Sequence, residues 1–386
     1  MASIFDVVCL SHLRWDYVWQ RPQHLLMRCG RERRVYYVEE PRYAAGPARL
    51  EVSAPTEGVR VVIPHLPHAL LEGGTAEALR RLLDDLFAAQ EIHRYVLWYY
   101  TPMAMNFTRH LQPLVTVYDC MDELTAFAGA PRTTLRERED ELFARADLVF
   151  TGGYSLYESK RSRHDRVYLF PSSVDAAYFR RARGELQDPP DQAGLPRPRL
   201  GFFGVIDERL DRALLAAVAA ARPSWQYVLL GPVAKILPRD LPDLPNVHYL
   251  GAKPYEALPA YLAGWDVALL PFAHNEATRY ISPTKTPEYL AAGRPVVSTP
   301  IRDVVRPYGE QRLVRIAATP EAFVRAAEQA MAQERETWLE RVDAVLTQTS
   351  WDDTWARMAA LIEASLPARP AAPSATAGAA PPAAAR

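Results

Sequence analysis

The sequence predicts an α/β protein built from two Rossmann-like, doubly wound parallel-sheet domains. Three observations predict it. The chain has 386 residues, more than one core usually organises, and 49% of them are hydrophobic, enough for two packed interiors. Short apolar runs alternate with longer amphipathic ones along most of its length, the pattern of strands and helices wound into a parallel sheet. That alternation pauses over the polar, Pro-rich stretch 180–198 and then restarts, as at an interdomain linker.

Composition narrows the function classes. A formal net charge of −1 leaves no overall basic field for nucleic acid. Cys9, Cys29 and Cys120 are odd in number, far apart and without zinc spacing, which fits a reducing compartment. The N-terminal stretch has no basic segment ahead of a long apolar run, and no stretch approaches the ~18 apolar residues of a membrane span. A cytoplasmic protein is expected.

In chain order, Ile4–Leu10 is apolar apart from Asp6 and suits a buried parallel strand. It empties into a loop, 11–21, that carries His12, Arg14, Trp15, Trp19, Gln20 and Arg21. Pro22 then suits the start of a helix to about Cys29. The loop lacks a G-x-G-x-x-G run, so a dinucleotide fingerprint is absent. Strands are expected at Val35–Val38 and Val59–Ile63 with a loop between them. Leu79, Leu82, Leu83, Leu86 and Phe87 then mark one face of a helix over Ala76–Gln90. Strands at Tyr95–Tyr99 and Leu114–Asp119, a charged surface helix over Arg132–Ala146, and strands at Leu148–Thr151 and Val167–Phe170 complete the first half.

The second half opens with a strand at Leu200–Phe203, a close turn at Gly204 and a helix over Arg209–Ala221. Strands follow at Tyr227–Leu230, Val247–Leu250 and Val267–Leu270, with a helix over Tyr255–Ala263 between the last two. Strands at Val296–Thr299 and Val314–Ile316 precede one helix from Glu321 to about Leu346 and an amphipathic helix over Trp351–Leu366. Residues 367–386 are mostly Ala and Pro, too poor in large apolar groups to pack, and read as a disordered tail.

The stretch Ser282–Thr299, SPTKTPEYLAAGRPVVST, concentrates the chemistry. Lys285 supplies a cation, Glu288 a carboxylate at the start of a short helix, and Gly293 a stop before a buried strand. Unpaired N–H groups at a helix start favour an anion, and with Lys285 the place suits a diphosphate. Glu288, a short step further in, is spaced to accept hydrogen bonds from sugar hydroxyls. The plainer alternative is a solvated lysine and an acidic residue that simply favours the first helical turn. Gly204 would let a phosphate approach the backbone, with Arg209 beside it. The alternative there is Arg209 paired with Asp207 or Glu208 on the surface.

The run formed by Pro283, Lys285, Glu288, Tyr289, Leu290, Ala291, Gly293, Pro295, Val296 and Val297 resembles the donor-binding segment of GT-B glycosyltransferases, in particular the family 4 group. Pro171–Asp175 with Tyr178-Phe179 is similar to that family's exit from its first domain. The resemblance implies a GT-B fold with an N-terminal acceptor domain over 1–180, a linker over 181–198 and a donor domain over 199–350. A crossover helix over 351–366 would then return to the first domain. It also implies transfer of a sugar from a nucleoside diphosphate-sugar to a hydroxyl acceptor, with Lys285 and Arg209 on the diphosphate and Glu288 on a ribose hydroxyl. The nucleotide-sugar is a co-substrate, and no other cofactor is expected. No DxD-like pair stands in a suitable loop, so protein cations are expected in place of a metal ion.

The chain departs from the family at one place. The first of two donor-site glutamates would fall eight positions before Glu288, where Tyr280 stands; Asn275 and Glu276 lie near enough to substitute for contacts to the sugar. The sugar, the nucleotide base and the stereochemical outcome stay open. The run Trp19–His24 also resembles a bacterial subgroup that builds surface polysaccharides, including teichuronic-acid-type enzymes.

On the acceptor side, Asp119 and Asp122 follow a first-half strand, where α/β proteins keep reacting groups. Asp119, nearest the strand end, is the favoured base, with His12 a second candidate and Asp122 an acceptor contact. Capping of the turn is the alternative for the carboxylates, and solvation for the histidine. Trp15 and Trp19 would pack on sugar rings or plug the domain interface, and Arg21 would reach the donor phosphate across the cleft. The partners implied are a nucleotide-sugar and a carbohydrate or lipid-linked acceptor. Arg31–Arg34 and Lys160–Arg166 would offer peripheral contact with the inner membrane face, unless they are merely a solvated surface. The alternatives to a glycosyltransferase are a GT-B sugar-nucleotide epimerase and a non-catalytic nucleotide-sugar-binding subunit.

Overall fold

The computed structural model describes residues 5–367, so the expected tail lies, beyond its first residue, outside the described part. The first sheet holds β1 (Asp6–Ser11), β2 (Val35–Glu39), β3 (Arg42–Ala44), β4 (Arg49–Thr56), β5 (Val59–Pro67), β6 (Tyr95–Tyr99), β7 (Val115–Cys120), β8 (Leu148–Thr151) and β9 (Val167–Leu169). Their order is β3-β5-β2-β1-β6-β7-β8-β9, with β4 on β5. Every pairing is parallel except the β4–β5 hairpin. The loop expected between Val38 and Val59 therefore carries two strands. Most of β4 is exposed, so no apolar alternation marks it, and its backbone pairing with β5 holds it in place.

Two cores cover the two faces of this sheet, as the period of a strand requires. Val7, Cys9, Val35, Tyr37, Val96 and Trp98 point to one face, and Val8, Leu10, Tyr36, Val38, Leu97 and Tyr99 to the other. The first face is covered by α1 (Arg21–Gly30) and the other by α2 (Thr75–Ala89) and α3 (Arg132–Arg145), with the shorter α4 (Tyr154–Lys160) following β8.

The second sheet holds β10 (Arg199–Phe203), β11 (Gln226–Leu230), β12 (Val247–Tyr249), β13 (Val267–Leu270), β14 (Val296–Ser298) and β15 (Val314–Ile316). All pairings are parallel, in the order β12-β11-β10-β13-β14-β15. Its helices are α5 (Arg212–Ala221), α6 (Leu258–Ala263), α7 (Lys285–Ala291), α8 (Pro320–Ala332) and α9 (Arg335–Leu346). Two expectations are corrected here. The helix expected from Arg209 begins at Arg212, because the Asp211 carboxylate caps it by accepting from the Leu214 N–H. The single helix expected over Glu321–Leu346 is two, because Glu334 accepts from the Glu336 and Thr337 N–H groups and starts a new one.

The Pro-rich stretch 181–198 is not a free tether. It contains a short helix, Pro190–Ala193, whose buried Gln192 accepts from Trp265 Nε1 and donates to the Tyr261 carbonyl of the second half. The last helix, α10 (Trp351–Ala364), crosses back, burying Trp351, Trp355, Met358 and Ile362 in a core of the first sheet. A further seam joins the halves where the Ser155 N–H and hydroxyl at the start of α4 both donate to Asp303. Ser172 Oγ donates to the Ser282 carbonyl at 3.1 Å, three residues ahead of Lys285.

Candidate active site

Loops at the carboxyl ends of β1, β10, β11 and β12, together with α7, enclose a cavity of about 520 Å³ between the two sheets. Trp15–Gln20 form one wall, and Gly204, Arg209, Gly231, Lys253–Glu256, Lys285 and Glu288 the other.

The floor is set by two glycines with positive φ, Gly204 (134°) and Gly231 (144°). A Cβ on Gly204 would stand 2.1 Å from Lys285 Cε, and one on Gly231 would stand 1.9 Å from the Gly204 carbonyl oxygen. Bare backbone here lets the lysine lie against the end of β10. The Tyr289 hydroxyl accepts from the Phe203 N–H at 2.9 Å and ties α7 to that strand end. Lys285 is the first residue of α7, not part of the preceding loop, and Glu288 sits one turn in, 4% exposed. Burial holds the Lys285 ammonium below its ordinary pKa, helped by the nearby Arg209 charge, and pushes the Glu288 carboxyl above its own.

Arg209 lies in the loop after β10 and is clamped by Asp207, which receives its Nε at 2.9 and 3.0 Å and its Nη2 at 2.6 Å. The surface alternative is half right: the ion pair exists, but Asp207 is 2% exposed and the guanidinium lines the cavity. The carboxylate thus aims the arginine, a role that no local sequence signal marks.

Across the cleft, Asp122 faces these cations. Burial raises its pKa to about 6, with Arg209, Lys235 and Lys285 pulling it back and Asp207 adding to the rise. His12 has an enclosed Nδ1 without a partner, and burial lowers its pKa to about 4, so its imidazole is neutral at pH 7. Sequence reasoning missed Lys235, whose ammonium sits 4.3 Å above the Phe127 ring of the first half.

Other expected site residues lie elsewhere. Asp119 is fully buried and receives Arg21 Nε at 3.1 and 3.0 Å and Nη2 at 2.9 Å; Arg21 Nη1 reaches the Phe170 carbonyl at 2.8 Å. Neither lines the cavity, so the base expected at Asp119 and the phosphate contact expected at Arg21 are corrected to one internal ion pair. Asp119 is the last but one residue of β7 and is taken up by Arg21, while Asp122, past the strand end, lies within reach of the Arg209, Lys235 and Lys285 charges. Glu276 faces Arg132 at 2.8 Å on the exposed rim, outside the cavity lining. Tyr280 packs against a first-sheet core.

The aromatic loop lies both on the cavity wall and at the seam between the halves. Trp15 and Trp19 line the cavity, and Trp19 also stacks on Tyr255 of the second half (5.2 Å between centroids, 22° between planes). Tyr255 in turn stacks on Tyr178 at 5.1 Å. Most of the two basic clusters is ion-paired within the chain. Arg33 pairs with Glu363, Arg34 with Asp6 and Arg31 with Asp352, while Lys160 is buried between Glu123 and Glu139. No helix among the described residues is long and apolar enough to cross a membrane.

Residues 197–333 match the family described as glycosyl transferases group 1. The chain is similar to TuaH of Bacillus subtilis (strain 168), described as a teichuronic acid biosynthesis glycosyltransferase, at 26% identity over 237 residues. That match takes in 57% of this chain and 59% of the relative, so it spans under two thirds of TuaH. Among solved structures, sucrose-phosphate synthase from Thermosynechococcus elongatus superposes with a TM-score of 0.70 at 17% identity, covering 92% of this chain and 98% of that one. HepE of Anabaena, solved in complex with UDP and glucose, gives 0.67 at 13%, covering 92% and 98%. The chain has the GT-B fold, two Rossmann-like domains facing a cleft, and its second sheet carries the group 1 family signature.

Proposed function

We propose that this GT-B chain is a glycosyltransferase that moves a sugar from a nucleoside diphosphate-sugar to a hydroxyl acceptor, in the synthesis of a bacterial surface polysaccharide or glycolipid. One observation carries the reading. The Lys285 ammonium lies against bare backbone at Gly204, inside a cavity whose far wall comes from the other sheet.

In this reading the diphosphate sits on Gly204, Lys285 and Arg209, and Glu288 accepts hydrogen bonds from ribose hydroxyls. As the bond from the sugar's anomeric carbon to the phosphate oxygen breaks, the electron pair stays on the diphosphate. Lys285 and Arg209 stabilise the charge where it grows, in a site that excludes much of the water. The acceptor oxygen bonds to the anomeric carbon and gives up its proton on the side of Asp122 and His12. Asp122 is ionised above about pH 6 and suits that proton better than His12, which burial keeps from taking one until about pH 4. Trp15 and Trp19 wall the acceptor side, and the protein cations take the place of a divalent metal at the leaving group.

The experiment is a thermal-shift screen of UDP, GDP and ADP and their glucose or mannose derivatives, followed by turnover with the sugar nucleotide that binds. A true donor at 100 times its Kd stabilises the fold by about 2.7 kcal/mol. Turnover that EDTA abolishes and Mg²⁺ restores would remove the metal-free part of the proposal. Binding without release of nucleotide across an acceptor panel would replace transfer with simple binding, and conversion of the donor alone would make the chain an epimerase.

A further inference from the structure

Beside the diphosphate cations lies a group that the reading above does not use. Glu208 follows the Asp207 clamp, and both of its carboxylate oxygens are enclosed without accepting a hydrogen bond. It is the one carboxylate among the described residues in that condition. Its neighbour Asp207, by contrast, spends both oxygens on Arg209. The nearest cation to Glu208 is Lys235, whose Nζ stays 3.8 Å from Oε1, an ion pair without hydrogen-bond contact. An enclosed carboxylate with empty lone pairs is costly unless something donates to it.

Its surroundings show where that donor would come from. Lys235 holds a left-handed backbone (φ 60°), unusual for a residue with a side chain, and lies over Phe127 of the opposite half. Its charge reaches both His12 and Asp122. Arg209, one residue after Glu208, stands 5.7 Å from the same Phe127 ring. The Glu208 carbonyl accepts from Asn275 Nδ2 at 3.2 Å, which fixes the loop against 274–280. That segment contributes no carboxylate of its own, since Glu276 faces Arg132 on the rim and Tyr280 packs on the first core. Glu208 thus stands next to Arg209 of the cavity wall, and its ion-pair partner Lys235 reaches over Phe127 of the opposite half.

We propose that Glu208 is the sugar-binding carboxylate of this cleft, accepting hydrogen bonds from hydroxyls of the transferred sugar, with the exposed Lys235 paired to it from the solvent side. The assignment rests on the donor reading above. It fits a neutral, hydroxyl-rich sugar, because a sugar acid would bring a second carboxylate against Glu208.

Calorimetric titration of the full chain with UDP and UDP-glucose, GDP and GDP-mannose, and ADP and ADP-glucose tests it. For the pair that binds, Glu208→Ala is expected to leave nucleoside diphosphate affinity within about twofold and to weaken the sugar nucleotide about tenfold or more. Glu208→Gln, which keeps one acceptor oxygen at the same size, recovers part of that loss. Equal losses for nucleotide and sugar nucleotide would mean a structural role and overturn the assignment, as would an unchanged sugar-nucleotide affinity. If none of the six ligands binds the unmodified protein, the donor reading itself falls and takes this assignment with it.

Discussion

Replacing Gly204 with alanine separates the backbone's contribution to the site from the lysine's. The new Cβ would stand 2.1 Å from Lys285 Cε and 2.6 Å from Nζ, so the end of the side chain must retreat by more than an ångström. Because that end is flexible, the retreat itself costs little. The stability loss comes chiefly from forcing a Cβ-bearing residue to φ 134°, about 1–3 kcal/mol. Function suffers differently. An ammonium moved off a phosphate forfeits a charged hydrogen bond of ~1.5–3 kcal/mol, roughly 10- to 150-fold in Kd. Calorimetry with the nucleoside diphosphate that binds measures the second effect, and a denaturant melt the first.

The double variant with Lys285→Ala completes the cycle. With the lysine gone, Gly204→Ala should still cost its backbone strain but bring no further loss of affinity. Gly231→Ala provides the contrast: its Cβ would meet the Gly204 carbonyl at 1.9 Å, and backbone cannot swing away, so it should destabilise more than Gly204→Ala. Gly204→Ala that binds nucleoside diphosphate as tightly as the unmodified protein would refute the packing of Lys285 on this glycine as the basis of the site.

Three other perturbations have defined outcomes. Arg21→Ala leaves the fully buried Asp119 unpaired and should cost about 3–5 kcal/mol in a denaturant melt; a loss near zero would contradict the internal role assigned to the pair. Asp122 has a folded pKa of about 6, above its ordinary 3.8, so its ionisation opposes folding. The penalty is absent below about pH 4, grows between 4 and 6, and is complete above 6. Asp122→Asn should therefore stabilise the protein at pH 7.5 and not at pH 4, while lowering turnover; equal stabilisation at both would refute the burial argument. Trp19→Ala removes the stack on Tyr255, worth about 0.5–1.5 kcal/mol beyond the buried area, and a melt indistinguishable from the unmodified protein would show that the stack does not join the halves.

Runs of Val, Leu and Tyr announced nearly all the buried strands, since both faces of a parallel sheet demand apolar residues. The exposed β4 was invisible for the same reason, and the break at Glu334 was hidden inside an otherwise helical pattern. Lys285, Glu288 and Gly204 were legible together because short-range chemistry, a cation, a carboxylate one turn on and a glycine at a strand end, is written in neighbouring residues. Asp119 and Asp122 looked alike, three positions apart on the same strand exit. Only the fold decided between them, because Arg21, 98 residues away, takes up the first and leaves the second facing the cations of the other sheet. Glu208, Lys235 and Tyr255 gained their significance in the same way, from what the second half brings opposite them. Sequence by itself determined the two sheets and the local grouping of Lys285 with Glu288, since periodicity and local spacing are properties of one segment. Which charges are spent inside the protein and which remain for a ligand is set by partners distant along the chain, and packing alone brings those together.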